Sequence, residues 1–313
     1  MRSMTTVVLR LFLASVVICG VASAQEASLA QRLGFTDEDI VLIINGDDLG
    51  MCHSANEAVF DALGRGCLTT ATLMVPCPWA IEVAHRWKEQ PDLDIGLHLT
   101  HTAEWRHYRW GPVASRHLVP GLIDAEGFLH HDVEPDGVYA HATPAEAYIE
   151  AKAQIDQALS WGVQPTHLDS HMGTLQYRDD YFDEYLKLAV EYDLPIRMES
   201  AELDRMMGLK DRRKLAAEAG VEAPVLLFGY KTPGDPAKVG PFYNEMLRGL
   251  KPGVWELLIH PALPTDELKA IAGSWAVRGA EYEWVTSPDT RKLIDELGIK
   301  LIGYRKLLEL QRQ

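Results

Sequence analysis

From residue 41 onward, short runs of β-branched and aliphatic residues alternate with longer stretches of helical spacing. Strand-like runs fall at 41–45, 68–75, 94–100, 166–170, 195–198, 224–228, 254–260 and 300–302. Helical patterns fill 54–63, 79–87, 144–161, 179–192, 201–219, 238–250 and 287–297, with Pro144 suited to a first helical turn. Alternation of this kind builds a mainly parallel sheet with helices outside. Seven or eight such units predict an α/β fold, a distorted or nearly closed β/α barrel in a single domain. An open, doubly wound sheet is the alternative. The segment 101–141 is polar and rich in histidine and glycine, and it reads as an elaborate loop. Long loops in compact domains are often functional.

The first 24 residues stand apart from this pattern. Arg2 and Arg10 give a positive start, residues 11–21 are apolar, and Ala22, Ser23 and Ala24 supply small residues for cleavage. The apolar run is too short for a membrane span of about 20 residues. Residues 1–24 therefore read as a signal peptide, leaving a mature domain of 25–313 that is exported, periplasmic or secreted, without stable membrane insertion. The formal charge is −15, or −17 once Arg2 and Arg10 leave. Such an acidic chain disfavours nucleic acid and anionic lipid and suits a neutral substrate. Cys52, Cys67 and Cys77 are an odd set without CxxC spacing, so a cysteine zinc site is not expected.

The polar residues fall where a parallel barrel needs them. Asp47 and Asp48 follow the first strand, His98 ends the third, with His101 close behind, and His167, Asp169 and His171 lie on or after the fourth. His260 ends the strand at 254–260. Carboxyl ends of barrel strands converge on one mouth, where active sites sit. One carboxylate and two imidazoles make an open site for a divalent metal, with positions left for water and substrate. A second carboxylate then serves as general base and a histidine as general acid. Asp47, Asp48, His98, His171 and His260 are enough to fill these roles.

The motifs DDLG at 47–50, IGLHLTHT at 95–102, THLDSHMGTL at 166–175, PIRME at 195–199 and WELLIHPA at 255–262 occur in that order. Together they resemble the YdjC/ChbG-like carbohydrate deacetylase family. The resemblance implies a distorted β/α barrel, a divalent metal (Zn²⁺, Mg²⁺ or Mn²⁺) and an N-acetylated sugar as substrate. It assigns Asp48, His98 and His171 as metal ligands, Asp47 as general base and His260 as general acid or transition-state stabiliser. Arg197 is implied to orient Asp47 or contact substrate. Asp169 reads as the residue orienting a ligand histidine, while His101 and Trp105 read as substrate-binding or supporting residues. One departure stands out: many relatives continue a histidine-rich run where this chain has Met172-Gly173-Thr174.

Three other functions compete. Another metal-dependent amidohydrolase or phosphoesterase usually carries a His-x-His pair on strand one, where this chain has Asp-Asp. A glycosidase would pair Asp47 with Asp169 and leave the histidines unexplained. A non-catalytic exported sugar-binding protein needs an aromatic cleft but no metal triad.

Overall fold

The computed structural model describes residues 27–227 and 232–313. The expected signal peptide, 1–24, lies outside them. Seven strands occur among the described residues: β1 (Ile40–Leu49), β2 (Thr70–Leu73), β3 (Ile95–Leu99), β4 (Leu168–Ser170), β5 (Val225–Leu226), β6 (Gly253–Ile259) and β7 (Lys300–Leu301). Every pairing is parallel, in the order β4-β3-β2-β1-β6-β5, and β7 joins the first residues of β1 at Val41 and Leu42.

Both edges of this sheet meet the segment 195–198. Leu168 N–H donates to the Pro195 carbonyl and Arg197 N–H to the Leu168 carbonyl, on the β4 side. Leu226 N–H donates to the Met198 carbonyl, on the β5 side. The segment thus closes the ring, but with one bridge, Ile196 to Leu168, instead of the full strand expected from sequence. Pro195 has no N–H to offer a ladder, so closure is irregular and the barrel distorted.

Side chains on a strand alternate between faces, and this alternation sorts β1. Leu42 and Ile44 enter the large core between sheet and helices. Val41 and Ile43 join a smaller cluster with Val254, Ile302, Tyr304 and Leu307 that plugs the amino end of the barrel. The short helices Leu29–Arg32 and Arg305–Gln311 cover that end. Continuing the same parity puts Asn45 and Asp47 on the inner face, above the plug.

The helix Pro144–Ser160 starts as its sequence predicts, with Pro144 in the first turn and a reciprocal cap between Thr143 and Glu146. The helical stretch 201–219 is in fact two helices, Ala201–Met207 and Arg212–Glu218. Gly208 breaks them by turning left-handed (φ 69°). The helix Trp275–Thr286 has no counterpart in the sequence reading. The segment 101–141 buries Ala103, Trp110, Val119, Leu122, Leu129 and Val138 against the main core, so it is packed rather than loose. Among the described residues no helix is long and apolar enough to cross a membrane.

One close approach inside the barrel yields a stability test. A Cβ built on Gly96 would lie 2.4 Å from the His167 ring and 2.7 Å from its carbonyl oxygen. His167 has no room to retreat, because it stacks on Tyr304 at 3.6 Å between centroids. Gly96→Ala should destabilise the fold by about 1–3 kcal/mol, as overpacking does. A urea titration would show it as a lowered midpoint, and an unchanged midpoint would mean that His167 can move.

Candidate active site

Asp47 and Asp48 are neighbours on β1, yet both face the same cleft. Alternation alone forbids this. The pairing of β1 with β2 slips between Gly46 and Leu49, and Asp48 takes φ 64°. The irregularity re-aims Asp48 into the barrel mouth, and aspartate tolerates the left-handed region better than most residues. The two carboxylates therefore lie within β1 and not after it, as the sequence pattern suggested.

Three donor atoms meet at this mouth. Asp48 Oδ1 lies 3.4 Å from His98 Nε2 and 3.4 Å from His171 Nδ1, and the two nitrogens are 3.1 Å apart. His98 arrives from β3. His171 arrives from a turn in which Met172 (φ 52°) and Gly173 (φ 65°) are both left-handed. A side chain at Gly173 would also strike the Tyr177 ring, at 2.1 Å.

The far side of each donor is held. His98 Nδ1 is 2.5 Å from Asp169 Oδ1, and His171 Nε2 is 3.0 Å from Glu104 Oε2. Arg278 donates from Nη2 to Asp48 Oδ2 at 2.6 Å. Asp48 Oδ1 itself has no hydrogen-bond partner among the described residues. Imidazoles backed by carboxylates around a spare carboxylate oxygen are the usual surroundings of a bound metal. Donors 2.0–2.1 Å from a tetrahedral zinc sit about 3.3 Å apart, close to the separations here, so these residues fit a divalent ion. Asp47, His98 and Asp169 also cluster. In that trio both carboxylates are already paired with the Arg197 guanidinium.

Charge explains the rest of the arrangement. Burial opposes ionisation of Asp47, but Arg197 outweighs it, helped by His98 and His260, and holds the carboxyl below its usual range. Arg197 grips both Asp47 oxygens, at 2.7 and 2.9 Å. Asn45 donates to Oδ1 as well, at 2.5 Å. For Asp48, burial is likewise opposed by Arg278 together with His171, His98 and His260, and the carboxyl is held well below its usual range. Burial pushes both imidazoles down, but Asp169 and Asp47 bring His98 up to about 10, and Glu104 and Asp48 bring His171 up to about 9. Carboxylates surround both imidazoles and favour positive charge between them.

His260 lies at the end of β6, with Nε2 4.0 Å from Asp47 Oδ2. Its backbone N–H donates to Glu281 Oε2, and its side chain is 35% exposed, so it can meet a ligand. His101 and Trp105 are elsewhere, and neither lines the cleft. His101 is fully buried with Nε2 on the Ala147 carbonyl. Trp105 packs on Trp110, and the Arg278 guanidinium lies 5.8 Å above its ring. His101 is thus packed against the helix Pro144–Ser160, and Trp105 backs the arginine that holds Asp48, a supporting position. Cys52 is a buried free thiol, pushed by burial up to about 11, which disqualifies it as a nucleophile.

Sequence reasoning missed Glu104, Glu256, Arg278 and Glu281. Glu256 did carry a signal, as a charged residue inside an apolar strand needs a buried partner. Its partners are Arg197 at 2.8 Å and the Tyr304 hydroxyl at 2.5 Å.

The sequence profile of the YdjC-like protein family matches residues 41–296. The chain belongs to this family. A carbohydrate deacetylase of Thermus thermophilus is 34% identical over 274 residues, covering 86% of this chain and 94% of the relative. A chitooligosaccharide deacetylase of Yersinia enterocolitica is 26% identical, covering 84% and 98%. A crystal structure from Enterococcus faecalis, named for cellobiose-phosphate cleavage, superimposes with a TM-score of 0.73 at 28% identity. It covers 86% of this chain and 99% of that one.

Arg197 touches Asp47, Asp169 and Glu256, all buried. Removing one partner of a buried ionic cluster typically costs about 3–5 kcal/mol. Arg197→Met is expected to lose about that much stability in chemical denaturation. A loss below about 1 kcal/mol would show that the three carboxylates can take up protons or water at little cost.

Proposed function

We propose that this YdjC-like protein is a metal-dependent hydrolase that removes an acetyl group, as the N-acetyl, from a carbohydrate. The convergence of Asp48, His98 and His171 beside Asp47 carries this reading, and the names of the deacetylase relatives support it. Glycosidase chemistry by Asp47 and Asp169 is disfavoured, because Arg197 ties both carboxylates down.

Asp48, His98 and His171 would hold the ion, which would lower the pKa of a water and polarise the acyl carbonyl. Asp169 and Glu104 fix the two rings so that their cleft-side nitrogens are presented. Asp47 accepts the proton of the attacking water at Oδ2, the oxygen nearer His260. Because Arg197 keeps it ionised, Asp47 is ready at any working pH. It acts by position more than by basicity, and the lowered pKa of the water narrows the gap. His260 faces Asp47 across the cleft and protonates the departing amine. The Glu281 contact fixes the His260 backbone. Acetate and the free amino sugar then leave.

Acetate release from N-acetylated and O-acetylated sugars, by metal-free and metal-restored protein, tests the reaction. Asp47→Asn should keep one equivalent of metal and lose roughly 10²–10⁴ in kcat. His171→Ala should lose both metal and turnover. Near wild-type turnover by Asp47→Asn would remove Asp47 as the base.

Export is proposed on the amino-terminal sequence alone, for residues 1–24 carry every feature of a signal peptide. In cells, the mature chain should begin at Gln25, which terminal sequencing reads directly. A chain retaining Leu11 would refute cleavage.

A further inference from the structure

Glu199 ends the PIRME motif, and the hydrolysis described above makes no use of it. It is buried, as is Gln176, whose side chain lines the cleft of Asp47 and Asp48. Gln176 follows the turn that carries His171, and its backbone N–H donates to the Gly173 carbonyl at 2.8 Å. Its own carbonyl accepts from Arg212 Nη1, and Asp204 holds Arg212 in turn. The backbone at Gln176 is therefore fixed from both sides.

The side-chain amide has one favoured way to sit. Nε2 donates to Glu199 Oε1 at 3.3 Å and to the Arg197 carbonyl at 3.4 Å. A turned amide would set its oxygen against both acceptors. Among the described residues no donor meets Oε1, yet it is not one of the polar atoms sealed from solvent without a partner. It opens on the cleft that the residue lines. Burial pushes Glu199 up to about 7, while Arg212 and Arg197 hold it down and Asp204 adds to the rise. Its other ionisable neighbours are Tyr177, Tyr185 and Arg213, which donates to the Glu199 carbonyl at 3.0 Å. An ionised Glu199 can only accept from the amide, whereas a protonated one can donate to its oxygen as well.

A fixed acceptor tells some ligand groups apart and not others. A sugar hydroxyl gives and accepts, so it turns to suit either polarity. An acetamido N–H can only donate, and the ester oxygen that replaces it in an O-acetyl sugar can only accept. We propose that Gln176 selects N-acetyl over O-acetyl substrates, its Oε1 accepting from the acetamido N–H, and that Glu199 is the positioning residue that fixes this polarity. The inference rests on the deacetylase reading of the cleft and adds the bond on which it discriminates. An O-acetyl group would set oxygen against oxygen, and a site built for one polarity rejects the other.

The test compares N-acetylglucosamine with 2-O-acetylglucose. Calorimetry is done on zinc-loaded Asp47→Asn protein, which should bind both without turnover. Above neutral pH the N-acetyl sugar should bind roughly tenfold tighter. Adding Gln176→Leu should bring the two affinities to within about twofold. Glu199→Gln can present either polarity to the amide at nearly the same volume. It should also erase the preference, and it serves if the first variant folds poorly. The ratio of the two affinities cancels titrations that both sugars share. It should shrink as the pH falls through about 7, where Glu199 takes its proton, and stay constant once Glu199→Gln is added. Equal affinity at the higher pH, binding of neither sugar, or a preference that survives both substitutions would overturn the selection by Gln176. A ratio that ignores pH would remove Glu199 as its positioning residue. Acetate release by the wild-type protein is a separate readout. If it fails while the preference and its loss hold, the deacetylase reading falls and the Gln176 contact stands.

Discussion

The structure turns on one buried guanidinium. Arg197 sits on the irregular segment that closes the barrel between β4 and β5, and its side chain crosses the interior to three other strands. It meets Asp169 on β4, Glu256 on β6 and Asp47 on β1. Burial works against the Arg197 charge, but Asp169, Asp47 and Glu256 outweigh it and keep the arginine firmly protonated. The backbone closure has few hydrogen bonds of its own, and the same cation that ties the strands together orients Asp47, the proposed base.

Each level of the barrel interior prepares the next. Val41, Ile43 and Val254 close the amino end with apolar volume. Above them Tyr304 stacks on His167 and donates to Glu256, converting the apolar plug into a polar layer. Glu256 anchors Arg197, Arg197 anchors Asp47 and Asp169, and Asp169 orients His98. Polar groups this deep are tolerable only when each is bonded to the next, so the mouth inherits its precision from the floor.

The alternation of β and α runs, and the Asp and His residues at strand ends, were legible because parallel strands and their carboxyl-end sites follow simple periods. What escaped has physical reasons. The bulge that lets Asp47 and Asp48 share a face breaks the period of two by which a strand is read. Pro195 marked the closing segment as irregular, but only the hydrogen bonds to both edges show that it completes the ring. The helix Trp275–Thr286 begins without a side-chain cap and holds Gly279 in its interior, features that weaken a helical signal. Arg278 and Glu281 went unseen with it. Glu104 lies in the aperiodic segment 101–141, and nothing local ties it to His171, 67 residues away.

Two adjacent aspartates have different surroundings, and each has its own arginine. Asp47 is gripped on both oxygens by Arg197 and faces His260, so it is fixed and held ionised. Asp48 is held on one oxygen by Arg278, and the other is left to face His98 and His171. Two carboxylates in one mouth thus differ by environment rather than by residue type, which is what the proposed roles rest on. The assignment depends on the left-handed turn at Asp48. With ordinary strand geometry there, Asp48 would face the helices, and Asp47 alone would remain among the histidines. The bulge in β1 is therefore the feature that brings a second buried carboxylate into the mouth, as the proposed pairing of a base with a metal ligand requires.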